Sequence, residues 1–232
     1  MMTETYSMNV IARVHSAFPE KFGIPRQSGI VDSLHARIVF EPEYRTPDAL
    51  RGIEEYSHLW IIWGFSMNKQ DHWNATVRPP RLGGNERIGV FSTRSPFRPN
   101  PIGLSCVKLD HIEHTKDQGI ILHITGADMV DGTPVFDIKP YLAYTDSYPE
   151  ASGSFASLKL DYHLDVDFPE NLLKKIPEEH KETLIKLLSQ DPRPSYQNDP
   201  ERIYGMKYAS MDIRFKVHEK ILTVINVSFL DK

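Results

Sequence analysis

The chain carries one cysteine, Cys106, in 232 residues. One thiol cannot build an intramolecular disulfide framework, and this scarcity suits a reducing cytoplasm. Long apolar runs are missing too: nothing approaches the roughly 20 consecutive apolar residues that span a bilayer. The start, Met1-Met2-Thr3-Glu4-Thr5, lacks a basic region ahead of an apolar core. No secretory signal is therefore expected, and a cytoplasmic location is. Ten histidines invite a metal, yet no pair stands at HExxH spacing and Cys106 has no partner cysteine, so no metal site is expected. Gly-x-Ser-x-Gly, Walker and Gly-x-Gly-x-x-Gly patterns are absent. Their absence speaks against an α/β-hydrolase elbow, a P-loop nucleotidase and a Rossmann cofactor site. Excess positive charge is absent as well. At a formal net charge of -4 the chain cannot coat nucleic acid by charge alone.

The positive charge present is concentrated. Arg78, Arg81, Arg87, Arg94 and Arg98 fall in one segment whose only acid is Glu86, which suggests a local anion site. That segment ends in Ser92-Thr93-Arg94-Ser95-Pro96-Phe97-Arg98-Pro99-Asn100-Pro101. Proline fixes φ and removes a backbone donor, so residues 95–101 are expected to form a stiff extended loop. Such a loop presents planar guanidinium groups to phosphate, carboxylate or purine rings. A proline-braced surface connection with solvated arginines is the plainer reading.

Most of the chain reads as short strands. Residues 9–14, 37–40, 59–65, 87–91, 105–112, 119–124 and 133–138 are β-branched or aromatic runs separated by Gly, Pro, Asn and Asp. Without strand–helix alternation, a mainly β fold, an antiparallel barrel, is expected. The pattern changes near residue 157. Pro177-Glu178-Glu179-His180 opens a helix with acids in its first turn, Leu184, Ile185, Leu187 and Leu188 form its apolar face, and Asp191-Pro192 stops it. Met211, Ile213, Phe215 and Val217 alternate with polar residues as a half-buried strand, and residues 221–229 are its antiparallel partner. The expected organisation is a barrel over residues 1–157 and a small α+β appendage over residues 158–232.

Three other segments stand out. Phe22-Gly23-Ile24-Pro25-Arg26-Gln27-Ser28-Gly29 is a polar loop or a simple surface turn. Gly126-Ala127-Asp128-Met129-Val130-Asp131-Gly132-Thr133-Pro134 sets two acids about a turn, for which Asp-Gly alone is an ordinary signal. Asp191-Pro192-Arg193-Pro194-Ser195-Tyr196 displays an arginine beside an aromatic ring, which can grip phosphate and stack a base, or simply end a helix.

With Tyr56-Ser57-His58-Leu59-Trp60-Ile61, Val77-Arg78-Pro79-Pro80-Arg81-Leu82-Gly83-Gly84, the run over residues 89–104 and Asp137-Ile138-Lys139-Pro140-Tyr141, these segments resemble the TsaA-like family. The likeness is specifically to its bacterial TrmO branch, the tRNA adenosine methyltransferases, and it covers nearly the whole chain in order. The resemblance implies a β-barrel methyltransferase that uses S-adenosyl-L-methionine and works as a homodimer with the cofactor near the subunit contact. It implies N6-methylation of N6-threonylcarbamoyladenosine just 3′ of the anticodon, with tRNA as the partner.

The resemblance also implies residue roles. Pro25, Arg26, Gln27, Ser66, Met67, Arg94, Leu104, Asp128, Met129, Val130 and Asp131 fall at the cofactor site. Arg26 and Arg94 suit a carboxylate or an adenine face, and Gln27 a polar edge. Asp128 and Asp131 suit an ammonium or sulfonium, while Leu104, Met129 and Val130 would supply an apolar wall and backbone hydrogen bonds. At Ser66-Met67 this chain departs from the His-Gln pair expected of close relatives, so only backbone roles carry over there. Asp131 and then His58 are the candidate general bases, with a purely structural His58 as the alternative. Arg78, Arg81, Arg98, Lys139, Arg193 and Tyr196 are candidate RNA contacts. Removal of the appendage is expected to spare cofactor binding and impair tRNA methylation. A non-catalytic RNA-binding barrel is the competing function.

Overall fold

The computed structural model describes residues 4–68, 72–79, 86–154, 162–194, 197 and 199–230. Six strands close into an antiparallel barrel: β1 (Ala12–Ser16), β2 (His35–Phe40), β3 (His58–Gly64), β6 (Ile102–Thr115), β7 (Gly119–Thr125) and β8 (Thr133–Pro140). Their order around the barrel is β1-β2-β7-β6-β3-β8. Alternation decides which side chains enter. Val14, Ile38, Leu59, Ile61, Leu122, Ile124 and Val135 point inward and form one apolar core. The mainly β barrel expected from the strand pattern is thus the fold observed.

Between β3 and β6 the chain leaves the barrel. Two two-residue strands, β4 (Thr76–Val77) and β5 (Ile88–Gly89), pair as a separate ladder. The expected strand over residues 87–91 therefore stops early, and residues 90–92 turn as a 3₁₀ helix. Hydroxyl groups explain the turn. Thr93 Oγ1 donates to the Val90 carbonyl at 2.9 Å and accepts from the Ser95 amide at 3.2 Å, and Ser95 Oγ accepts from the Phe97 amide at 3.3 Å. The Arg-Pro loop is accordingly a chain of tight turns and not an extended rod. Side-chain oxygens here outcompete an extended backbone.

After the short α1 (Ala143–Asp146), the C-terminal part builds a four-stranded sheet of order β10-β11-β12-β9. Its strands are β9 (Asp165–Asp167), β10 (Tyr204–Tyr208), β11 (Met211–His218) and β12 (Ile221–Phe229), with α2 (Glu170–Leu173) and α3 (Glu178–Ser189) against it. The β11–β12 hairpin and α3 match expectation. β9 and β10 do not appear in the sequence reading, since the first has three residues and the second is interrupted by Gly205. On α3, Leu184, Leu187 and Leu188 are buried but Ile185 faces outward, because 100° per residue carries it off the stripe.

The appendage packs against the β1–β2 connection of the barrel. Phe18, Val31 and Leu34, in the β1–β2 connection, join Leu172, Leu184, Leu187, Met206, Phe215 and others in one core. Polar links reinforce the contact: Thr183 Oγ1 to Ser33 Oγ at 2.9 Å, Lys186 Nζ to Asp32 Oδ1 at 2.9 Å, and the Ala209 amide to the Ala17 carbonyl at 3.0 Å.

Candidate functional site

Strand direction collects the candidates. In an antiparallel barrel every other connection lies at the same rim. One rim holds residues 17–34 between β1 and β2, residues 126–132 between β7 and β8, and residues 65–101 between β3 and β6. All eleven positions that the resemblance assigns to the cofactor lie on these three connections, except Leu104, the third residue of β6 at the same rim.

A buried polar chain forms the floor. Trp63 Nε1 donates to Ser105 Oγ at 2.9 Å, and Ser105 Oγ donates to Asp128 Oδ1 at 2.6 Å. Gly103 makes room for it, since a Cβ there would stand 2.2 Å from the Trp63 indole. Burial pushes the Asp128 carboxyl above the ordinary carboxylate range, against the Ser105 hydroxyl, backbone amides and the charge of Arg94. The folded protein therefore binds this proton more readily than the unfolded chain. Stability declines as pH rises from the ordinary carboxyl value through the raised one, and stays reduced above it. Asp128→Asn should consequently melt at a higher temperature than the native protein at neutral pH, with a flatter pH dependence. A lower melting temperature across the whole range would contradict this.

Above Asp128, β6 overhangs β7. The ladder to β7 begins only at Lys108, so the preceding residues of β6 have β3 on one side and no strand on the other. The β1–β2 connection approaches this edge, where Ser28 Oγ accepts from the Cys106 amide at 3.1 Å and Gly29 N donates to Gly126 O at 2.9 Å. Period-two alternation turns the N–H and C=O of Leu104 toward the same edge, and the residue is 55% exposed. Arg94 Nη1 donates to Gln27 Oε1, which ties the arginine-rich segment to the β1–β2 connection. Arg26 is exposed, whereas Pro25 is buried and braces the loop. Met129 differs from expectation: its side chain belongs to the barrel core, and only its backbone meets the rim, through Ser16 Oγ at 2.8 Å. Val130 is buried as well, so Leu104 alone of the three offers an apolar surface.

Two residues to which the sequence reading gives no role organise this rim. Lys21 Nζ donates to the Met67 carbonyl at 2.7 Å and to Asn68 Oδ1, holding the exposed Ser66-Met67 corner by its backbone. His15 Nδ1 lies 3.4 Å from Asp131 Oδ1, which also accepts the Ser16 amide at 3.1 Å. Asp131 thus stands at the rim beside an imidazole. A cleft of about 340 Å³ runs between Lys21, Gly23 and Arg26 on the barrel side and Pro192, Arg193 and Pro194 on the other.

Other candidates go elsewhere. His58 opens β3 at the opposite rim, six residues from Gly64, a rise of about 20 Å. There it bonds Ser57 Oγ at 2.9 Å and meets the Tyr141 ring edge-on. Lys139 lies one residue before the end of β8 at that far rim and pairs with Asp137 at 2.8 Å. Arg193 is 7% exposed, with Nε and Nη2 on the Asp191 carboxylate at 2.8 and 2.9 Å. That bidentate pair holds the guanidinium more firmly charged than usual and leaves it little capacity for phosphate. Arg78 is exposed and Arg98 half-buried; Arg81 and Tyr196 lie outside the described residues. Among the described residues no group of three metal-ligating side chains forms, and no helix is long and apolar enough to cross a membrane.

Comparison with known proteins shows the family and the fold. A family model described as tRNA-methyltransferase O N-terminal domain matches residues 13–147, and a TrmO C-terminal domain model matches residues 161–230. The chain is 41% identical over 221 residues to a tRNA (adenine(37)-N6)-methyltransferase of Escherichia coli (strain K12), covering 92% of this chain and 94% of that one. It is 36% identical over 219 residues to a putative S-adenosylmethionine-dependent methyltransferase, RcsF, of Pseudomonas aeruginosa, covering 91% and 92%. A crystal structure of TrmO from Pseudomonas aeruginosa superposes with a TM-score of 0.76 at 29% identity, covering 97% of this chain and all of that one.

Proposed function

The chain belongs to the TrmO family, and from that membership we propose that it methylates N6 of adenosine 37 in tRNA, with S-adenosyl-L-methionine as donor. The observation that carries this reading is the gathering of Gln27, Arg94, the Leu104 backbone edge and the Asp128 carboxylate at one rim.

The donor set suits that cofactor. Asp128, buried beneath the rim, offers a negative charge to its ammonium or sulfonium, and a cation brought there would favour the carboxylate form. Arg94 and Arg26 offer guanidinium planes to its carboxylate or adenine, and the Leu104 N–H and C=O match the polar edge of a purine. When bound, the sulfonium supplies an electrophilic methyl carbon. The chain's own residues must align the acceptor nitrogen and keep water away. In N6-threonylcarbamoyladenosine, the acceptor we favour, that nitrogen carries a relatively acidic N–H, so a base at the rim is useful. Asp131, with His15 behind it, fills that place; His58, at the far rim, does not. We assign the activity to the cytoplasm and to a homodimer, which a sedimentation mass of twice the chain would support.

The test has two arms. Calorimetry should show stoichiometric S-adenosyl-L-methionine binding, and nucleoside mass spectrometry of tRNA should show the methylated base only when the gene is present. RNA binding without cofactor binding would instead favour a non-catalytic barrel. Arg94→Ala should weaken cofactor affinity by about 1.5–3 kcal/mol, the worth of a charged hydrogen bond, with little change in thermal stability. Unchanged affinity in the folded variant would remove Arg94 from the site.

A further inference from the structure

The short β4–β5 ladder supports a feature that the barrel does not need. Trp73 and Phe91 flank it, with ring centroids 6.2 Å apart and planes inclined by 24°. They are 51% and 72% exposed. Two large rings stacked in water are an unusual use of apolar area and point to a partner. Their placement is set by the backbone. Thr76 pairs with Gly89, Val90 N donates to Ala75 O at 2.9 Å, and Asn74 N donates to Phe97 O at 3.4 Å. The platform therefore exists before any ligand arrives.

Its surroundings are cationic. Arg78, Arg87 and Arg94 are exposed on the same segment and Arg98 is half-buried, while Glu86 is the only acid between residues 72 and 98. Arg87 Nη1 is anchored on Thr76 Oγ1 at 3.1 Å, beside the ladder. Aromatic faces among guanidinium groups suit an unpaired nucleobase, which stacks while its phosphates meet the arginines. Phe91 precedes Arg94 by three residues, so their Cα atoms lie within about 11 Å. The platform thus adjoins the cofactor rim.

Resting on the methyltransferase reading above, we propose that Trp73 and Phe91 form a stacking platform for an unpaired tRNA base that flanks the methylated adenosine. A second copy of the chain is the other conceivable occupant. A twofold contact centred on this pair would face the arginines of one protomer with the same arginines of its partner, which like-charge repulsion disfavours.

The experiment compares Trp73→Ala, Phe91→Ala and Phe91→Tyr with the native protein. It measures tRNA affinity over a range of salt, S-adenosyl-L-methionine affinity by calorimetry, and mass by sedimentation. Each alanine variant should bind tRNA about 10-fold more weakly, the range expected for one lost base stack. Cofactor affinity, sedimenting mass and the salt slope should not move, because no phosphate contact is lost. Phe91→Tyr should bind tRNA like the native protein. Unchanged tRNA affinity in both alanine variants would overturn the platform, as would weakened binding accompanied by a smaller sedimenting species. Native protein that binds tRNA but neither binds S-adenosyl-L-methionine nor methylates would instead sink the methyltransferase reading, leaving the platform to be judged on RNA affinity alone.

Discussion

A chain cut back to residues 1–157 is expected to lose S-adenosyl-L-methionine binding together with its cooperative unfolding transition, which reverses the expectation from sequence because the two parts share a core. The C-terminal part covers Phe18, Val31 and Leu34, all but fully buried, on the connection that also carries Arg26 and Gln27. Uncovering three such side chains costs about 1.5–3 kcal/mol each, a large share of the roughly 5–15 kcal/mol that stabilises a domain. A single methyl group should show the same dependence. Gly23 has φ +89°, and a Cβ there would stand 2.3 Å from Met206 Sδ and 2.5 Å from its Cγ. Met206 is wholly buried on β10, so shifting its side chain disturbs the surrounding core. Gly23→Ala combines overpacking with a left-handed backbone, so about 2–4 kcal/mol of stability should be lost, and cofactor affinity with it. Thermal melts and a cofactor titration on both proteins check this. Normal cofactor affinity in the truncated chain would show that the rim assembles without the C-terminal part.

The second large effect concerns substrate choice. Transfer RNA lacking the threonylcarbamoyl group is expected to react with a kcat/KM lower by roughly 10- to 100-fold. Arginine pairing with the threonyl carboxylate contributes about 1.5–3 kcal/mol, and the plain adenosine amine has a less acidic N–H. Arg98 is the better placed of the described candidates, since its Nη1 donates to the Thr93 carbonyl at 3.3 Å and so approaches the rim already oriented. Arg98→Ala should therefore narrow the gap between the two substrates more than it changes cofactor affinity. Equal rates on modified and unmodified tRNA would mean that these arginines meet only phosphate.

Much of this molecule is legible in its sequence, because much of it is local. Period-two alternation marks the barrel strands and the β11–β12 hairpin, and acids at one end with leucines on one face mark α3. The motifs that carry the family likeness also name the rim residues, since glycine, proline and arginine in fixed order specify one loop conformation. Other features needed the third dimension. His58 and Ser66 belong to adjacent motifs, but an extended strand sets them at opposite rims. Arg193 reads as a phosphate contact until the turn at Asp191 folds a carboxylate onto it. Residues 22–29 read as a polar loop or a surface turn, yet the connection that holds them completes the core of the C-terminal sheet. The sequence by itself determined which residues of the barrel strands and the β11–β12 hairpin face inward, because period-two alternation along an extended backbone settles that. Only the tertiary structure decided which strand ends share a rim and which charges are already paired, because those depend on barrel closure and on contacts between residues far apart in the chain.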